Sequence, residues 1–292
     1  MPALDAPSPS VPEGREAAPV RSWKATLALG FRRDGERTRL DHRAHTGPLR
    51  VQKPFFPEGP GVCHVYVLHP PGGLVGGDSL ELTLEVGPEA HALVTTPAAG
   101  KIYRSPAEPS RQVVEAQVGE AGTLEWLPQE TIAFDQAHAH LQTRLHLARG
   151  ARAAAWDILC LGRPAALEAF ARGSVHNHVE LYVDGQPRLI ERSHFAGGTP
   201  QLQEPWGLSG RAALGTFFVH PASTEGLEAA RSVCHGRFGR ALTSATLVDG
   251  TLVCRALDDD ATQVRERFIR TWHTLRPTTL GRTATAPRIW AT

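Results

Sequence analysis

Three carboxylates in this chain stand where a carboxylate needs a partner. Asp78 closes the stretch LHPPGGLVGGD, in which two prolines and two Gly-Gly pairs precede it. Asp157 interrupts the apolar run ARAAAWDILCLG, and Glu191 stands beside Arg192 in PRLIERSHF. A carboxylate taken out of water costs several kcal/mol unless it is paired, hydrogen-bonded or bound to metal. Each acid also has a plainer reading. Asp78 can fix a turn by hydrogen bonding, Asp157 can point outward while Trp156 and Ile158 face in, and Glu191 can form a surface ion pair at a strand end. Among fourteen histidines, His138/His140 and His176/His178 have i, i+2 spacing. On a strand both members of a pair share one face, close enough to share a metal. Cys63-His64 and Cys234-His235 add donors, yet no set supplies the three or four ligands of a firm site.

The glycine cluster does not make a phosphate cradle. Gly72 and Gly77 have P-loop separation, but Asp78 occupies the lysine position, where it would repel a phosphate. The dinucleotide pattern fails at Leu74, and no helix pattern follows to offer its N-terminus. What remains is a compact turn between a strand ending near Leu68 and one starting near Ser79. Hydrolase signatures of the GxSxG, HExxH and SxxK types are absent. Glu125, Glu130 and Asp135 in TLEWLPQETIAFD supply the carboxylates of an alternative, a stand-alone β-rich enzyme acting on carbohydrate. The aromatic content of 7% is low for a sugar cleft.

The elements that must position these residues are mostly strands. SLELTLEV alternates with Leu80, Leu82, Leu84 and Val86 on one face; HLQTRLHL and SVHNHVELYV repeat the pattern. Asp184-Gly185 and Asp249-Gly250 sit between apolar runs and predict tight hairpins. The strands read as antiparallel and half-exposed. Two helices are predicted near the C-terminus. One spans 223–237, capped by Ser223 and stopped by Gly236. The other spans 258–277, with an Asp run at its start, Val264, Phe268, Trp272 and Leu275 on one face, and Pro277 ending it. No repeat of solenoid period is visible. The fold expected is mainly β, a single large domain over residues 21–292 with a small helical element.

Composition narrows the function classes. At 292 residues and 41% apolar content, the chain can bury roughly 75% of its unfolded surface without staples. Its 31 basic and 30 acidic residues leave a net charge of +1, which gives no reason to expect nucleic acid or a membrane as partner. No apolar run reaches the roughly 18 residues of a spanning helix. Residues 1–20 are rich in Pro, Ala and Glu and read as a disordered lead-in, neither signal peptide nor anchor. Four scattered cysteines without CxxC point away from a disulfide framework and toward a reducing cytoplasm.

The blocks CHVYVLHPPGGLVGGDSLELTLEV, HALVTTPAAGKIYRS, LEWLPQETIAFD, AAWDILCLGRPA, LIER and LRPTTLGRTATAPRIWAT closely resemble the urease accessory proteins of the UreD (UreH) family. The resemblance runs in order from about Trp23 to Thr292. It implies a mostly β, non-catalytic maturation factor that binds apo-urease and recruits UreF and the nickel-carrying GTPase UreG. It further implies that Ni²⁺ passes transiently through a channel in the protein, with no tightly bound cofactor. The interior acids tied to that channel in the family fall on Asp78, Asp157 and Glu191. Carboxylates hold this metal loosely compared with His and Cys clusters, which suits passage better than storage.

Overall fold

The structure, a computed structural model, describes residues 22–105, 108–234 and 241–291. The lead-in expected over residues 1–20 and the stop expected at Gly236 lie outside the described residues. In chain order the first strands are β1 (Lys24–Asp34), β2 (Arg37–Thr46), β3 (Arg50–Val51), β4 (Cys63–Leu68), β5 (Ser79–Val86) and β6 (His91–Thr95). There follow β7 (Gly100–Ile102), β8 (Ser110–Val118), β9 (Thr123–Trp126), β10 (Thr131–Ala133), β11 (His138–Leu147) and β12 (Arg152–Arg163). The remainder comprises β13 (Glu168–Ala169), β14 (Ser174–Val183), β15 (Gln186–Ala196), β16 (Ala213–His220), β17 (Leu242–Val248) and β18 (Thr251–Asp258). Three helices join them: α1 (Pro200–Gln203), α2 (Thr224–Cys234) and α3 (Ala261–Thr279). The protein is mainly β with few helices, as its sequence pattern requires.

Strand direction differs from expectation. One sheet runs β15-β14-β11-β8-β5-β1-β2, and the second runs β17-β18-β16-β12-β9-β6-β4-β3 with three short strands attached. Successive strands of the central segment alternate between the sheets, so β4, β6, β9 and β12 pair in parallel in one. In the other, β1, β5, β8, β11 and β14 are likewise parallel neighbours. The chain winds as a coil, each turn giving one strand to each sheet. Alternation of apolar and polar residues reports only that one face of a strand is buried. It is the same for a coil packed on its inside as for an antiparallel sheet. Antiparallel pairing is confined to the flanks. The hairpins β14–β15 and β17–β18 turn at Asp184-Gly185 and Asp249-Gly250, where all four residues have positive φ. The hairpins at the outer edges of the first sheet, β1–β2 and β14–β15, each carry a register shift.

The coil encloses the main core. Leu27, Leu82, Leu84, Leu145 and Leu181 of the first sheet meet Val65, Val94, Leu124, Ala153 and Ala155 of the second. A second core lies on the other face of the second sheet, where Trp156, Ile158 and Phe217 pack against Val264, Phe268, Trp272 and Leu275 of α3. The layers are therefore sheet, sheet and helices, and β12 is buried on both faces. Gly215 lets α3 approach, since a Cβ there would lie 2.7 Å from the Phe268 ring. Asp260 caps α3 by accepting the Thr262 N–H at 2.8 Å, and the Ser223 hydroxyl does the same for the Gly226 N–H of α2 at 3.3 Å. Pro277 does not end α3, whose last turn continues two residues further to Thr279. That turn is held by the Thr278 and Thr279 hydroxyls bonding back to the Leu275 carbonyl and by the Leu280 N–H closing on Arg276.

Candidate functional site

The stretch 68–78 links β4 to β5 and so carries the chain from one sheet to the other. Gly77 adopts φ +81°, and a Cβ on Gly76 would fall 1.9 Å from the Ser105 hydroxyl. Those glycines serve a tight crossing. Asp78 holds it shut: one carboxylate oxygen accepts the Trp23 N–H at 2.8 Å and the other accepts the Val75 N–H at 2.9 Å. The carboxylate ties the start of β1 to the loop before β5, and it is only 8% exposed.

Asp157 faces the space between the sheets. Trp156 and Ile158 turn toward the helices, so alternation sends the aspartate to the opposite face, and that face is also interior. It borders a cavity of about 160 Å³, whose polar wall includes His69, Gln112, Gln129 and Thr143. Burial pushes its pKa up; a hydrogen bond from Asn177 opposes the rise and the nearby Glu191 charge adds to it. The Asn177 amide donates to Asp157 at 2.5 Å across the two sheets.

Glu191 lies on the other side of this contact. It reaches from β15 to the second sheet, where it accepts the Thr216 hydroxyl at 2.7 Å and the Arg255 Nε–H at 2.7 Å, with a further bond from the same guanidinium. Thr216 is the direct ladder neighbour of both Asp157 and Arg255. Glu191, Thr216 and Arg255 also line an open recess of about 510 Å³ at the protein surface. A polar row thus leads from the cavity through Asp157, Asn177, Thr216 and Glu191 to the outside.

The structure brings Asp157 and Glu191 together and leaves Asp78 apart. His69 lines the cavity and feels the Asp78 charge. Burial lowers its pKa while the Asp78 charge opposes the fall. Sequence reasoning missed Asn177, Thr216, Arg255 and His69. Asn177 left a signal, since it occupies an inward position between Val175 and Val179 where an apolar residue is the norm.

The histidine pairs do not converge on a metal. His140, His176 and His194 are ladder neighbours on three strands, and their rings stack at 4.7 and 4.2 Å with interplanar angles of 12° and 11°. In stacked imidazoles the in-plane lone pairs run side by side and do not meet. His138 instead contacts the Ser174 hydroxyl. Among the described residues no group of three or more His, Cys, Asp or Glu is arranged to hold a metal ion.

The carboxylates of the carbohydrate-enzyme reading are dispersed and paired. Asp135 bonds Arg172, and Glu130 lies 3.4 Å from Arg265. Glu125 is fully buried, accepting from His91 at 2.7 Å, from the Trp272 indole at 2.6 Å and from Arg276 at 2.8–3.2 Å. The same guanidinium bonds both oxygens of Glu58, which also meets His64. Burial alone would raise Glu125, but hydrogen bonding and charge from His91 and Arg276 outweigh it and bring its pKa down to about 2. This network clamps α3 to the coil. No helix among the described residues is long and apolar enough to cross a membrane.

Comparison with known proteins gives a consistent result. The family model described as UreD urease accessory protein matches residues 24–291. The urease accessory protein UreD of Dechloromonas aromatica is 46% identical over 276 residues, covering 93% of this chain and 95% of the relative. Its counterpart in Enterobacter sp. (strain 638) is 42% identical over 277 residues, covering 94% and 97%. That of Pseudomonas fluorescens is 44% identical over 272 residues, covering 93% and 96%.

Proposed function

The chain belongs to the UreD urease accessory protein family, with a role in urease maturation, and from that premise we propose that it passes Ni²⁺ through its interior toward apo-urease. In this reading it works in the cytoplasm with the apo-urease subunits, UreF and the nickel-carrying GTPase UreG. It performs no catalysis of its own, keeps no tightly bound cofactor, and needs neither nucleic acid nor membrane.

The observation that carries the proposal is the polar row from the cavity between the sheets to the surface recess. Its donors suit a cargo held briefly. A carboxylate binds metal only when ionised, and the raised pKa of Asp157 makes protons compete with the ion. Glu191 is already neutralised by Arg255, so an arriving cation must exchange with the guanidinium, which keeps that position shallow. Burial favours the neutral His69 imidazole, the form whose lone pair takes a metal. Asp78, with both oxygens engaged by backbone N–H groups, shapes the passage by fixing the loop beside His69.

The test uses Asp157→Asn and Glu191→Gln in cells producing the urease subunits with UreF and UreG at limiting nickel. Urease activity should fall several-fold while affinity capture of apo-urease and UreF is retained. Unchanged activity would remove the passage from the proposal. Loss of capture would make the two acids structural.

A further inference from the structure

Cys234 and Cys254 lie twenty positions apart in sequence, yet the fold places them together. Cys234 ends α2, which packs across β17 and β18. Its carbonyl accepts the Thr243 hydroxyl at 2.9 Å, which fixes the last turn of the helix over β17. Cys254, on β18, is the ladder partner of Ala245, two residues along β17 from that anchor. Both side chains join the same apolar cluster. Cys254 is buried, while Cys234 keeps part of its surface exposed. One thiol is thus reachable and the other waits behind it.

We propose that Cys234 and Cys254 are a dithiol–disulfide pair, a redox modification site at the junction of α2 and β18 that takes a small-molecule disulfide as its oxidant.

The electronic setting agrees with the geometry. The neighbouring Cys254 thiol, the Thr243 hydroxyl and the Arg267 charge outweigh burial and bring the Cys234 thiol down to about 7, so Cys234 ionises first and Cys254 is held protonated. At Cys63 and Cys160 burial dominates and pushes the thiols up to about 12, so they serve as internal controls.

In the first step the Cys234 thiolate attacks one sulfur of the oxidant. Its S–S bond breaks, and one thiolate leaves with the electron pair, giving a mixed disulfide on Cys234. The Cys254 thiol then loses its proton to solvent and attacks the Cys234 sulfur, expelling the second small thiolate. Two protein thiols are oxidised by two electrons, and one disulfide is reduced to two thiols. Excess small thiol reverses the sequence. The closed form ties the end of α2 to β18 covalently.

The experiment incubates the full chain with oxidised glutathione at neutral pH, alkylates remaining thiols after unfolding, and maps the peptides by mass spectrometry. The expected product joins the Cys234 and Cys254 peptides, lighter by two hydrogens, with Cys63 and Cys160 alkylated. In Cys254→Ser, whose hydroxyl keeps a hydrogen-bond donor, the first step should stall and leave glutathione on Cys234. That adduct should form at least ~10-fold faster than any on Cys63. In Cys234→Ser neither adduct nor cross-link should form. Four alkylated cysteines in the oxidised wild-type chain would overturn the proposal. So would a cross-link to Cys63 or Cys160, or reaction of Cys234 in Cys254→Ser no faster than that of Cys63.

Discussion

Arg276→Met should unfold the protein at a markedly lower temperature, by an amount that depends on pH. Arg276 is fully buried, and its guanidinium donates to Glu125, to both oxygens of Glu58 and to the Thr283 carbonyl. Methionine keeps an unbranched stem of similar bulk but leaves two interior carboxylates without their cation. Removing one partner of a buried ion pair costs ~3–5 kcal/mol. At about 2 °C per kcal/mol for a chain of this size, Tm should fall by roughly 6–10 °C at pH 7.

The pH dependence has a definite sign. In the wild-type chain the Glu125 carboxyl is held down to about 2, so its contribution is present above the ordinary glutamate value and is lost only as pH falls through that lowered value. In the variant, burial acts without the cation and lifts both acids above their ordinary range. Protonation of the two acids then relieves the strain as pH drops. The Tm gap should therefore narrow between pH 7 and pH 5. Thermal unfolding followed by circular dichroism at both values checks this. A gap under ~2 °C at pH 7, or one that widens on acidification, would refute the clamp.

Two further outcomes follow from the site. Asp78→Ala strips the Trp23 and Val75 N–H groups of their acceptor and should cost ~1–3 kcal/mol, seen in denaturant unfolding and in faster hydrogen exchange of the Val75 amide. The His176 imidazole should titrate below the ordinary histidine range, because burial and its neighbours His194, His140 and His178 all disfavour its charge; proton NMR should also show His194→Gln moving that midpoint upward.

Much of the fold was legible because its signals are local. The Leu80–Val86 alternation, the two Asp-Gly turns and the apolar stripe of α3 each need only a few neighbouring residues to express them. Strand direction was not legible, since it depends on which distant strand lies alongside, and period-2 alternation is blind to that. Asp157 shows the same limit. Its alternation with Trp156 and Ile158 was readable, but both faces of β12 are interior because α3, a hundred residues later, covers the side that would otherwise be outside. Glu125 stood in the run TLEWL as a charge among apolar residues, a sign of burial. Its partner Arg276 lies 151 positions away, beyond any local pattern.

The winding of the chain has a consequence for self-association. Successive turns of a parallel coil expose at each end the same unpaired backbone that the previous turn offered, so an open coil is a template onto which another molecule could add itself. Here the first sheet ends in strands that reverse direction. β2 folds back on β1 with a bulge between Gly30 and Phe31, and β15 folds back on β14 with a shift at Leu181 and Tyr182. Both outermost strands carry arginines, Arg37, Arg39 and Arg43 on one and Arg188 and Arg192 on the other. Reversal, register shift and charge together make each end of the first sheet a poorer template for a further strand.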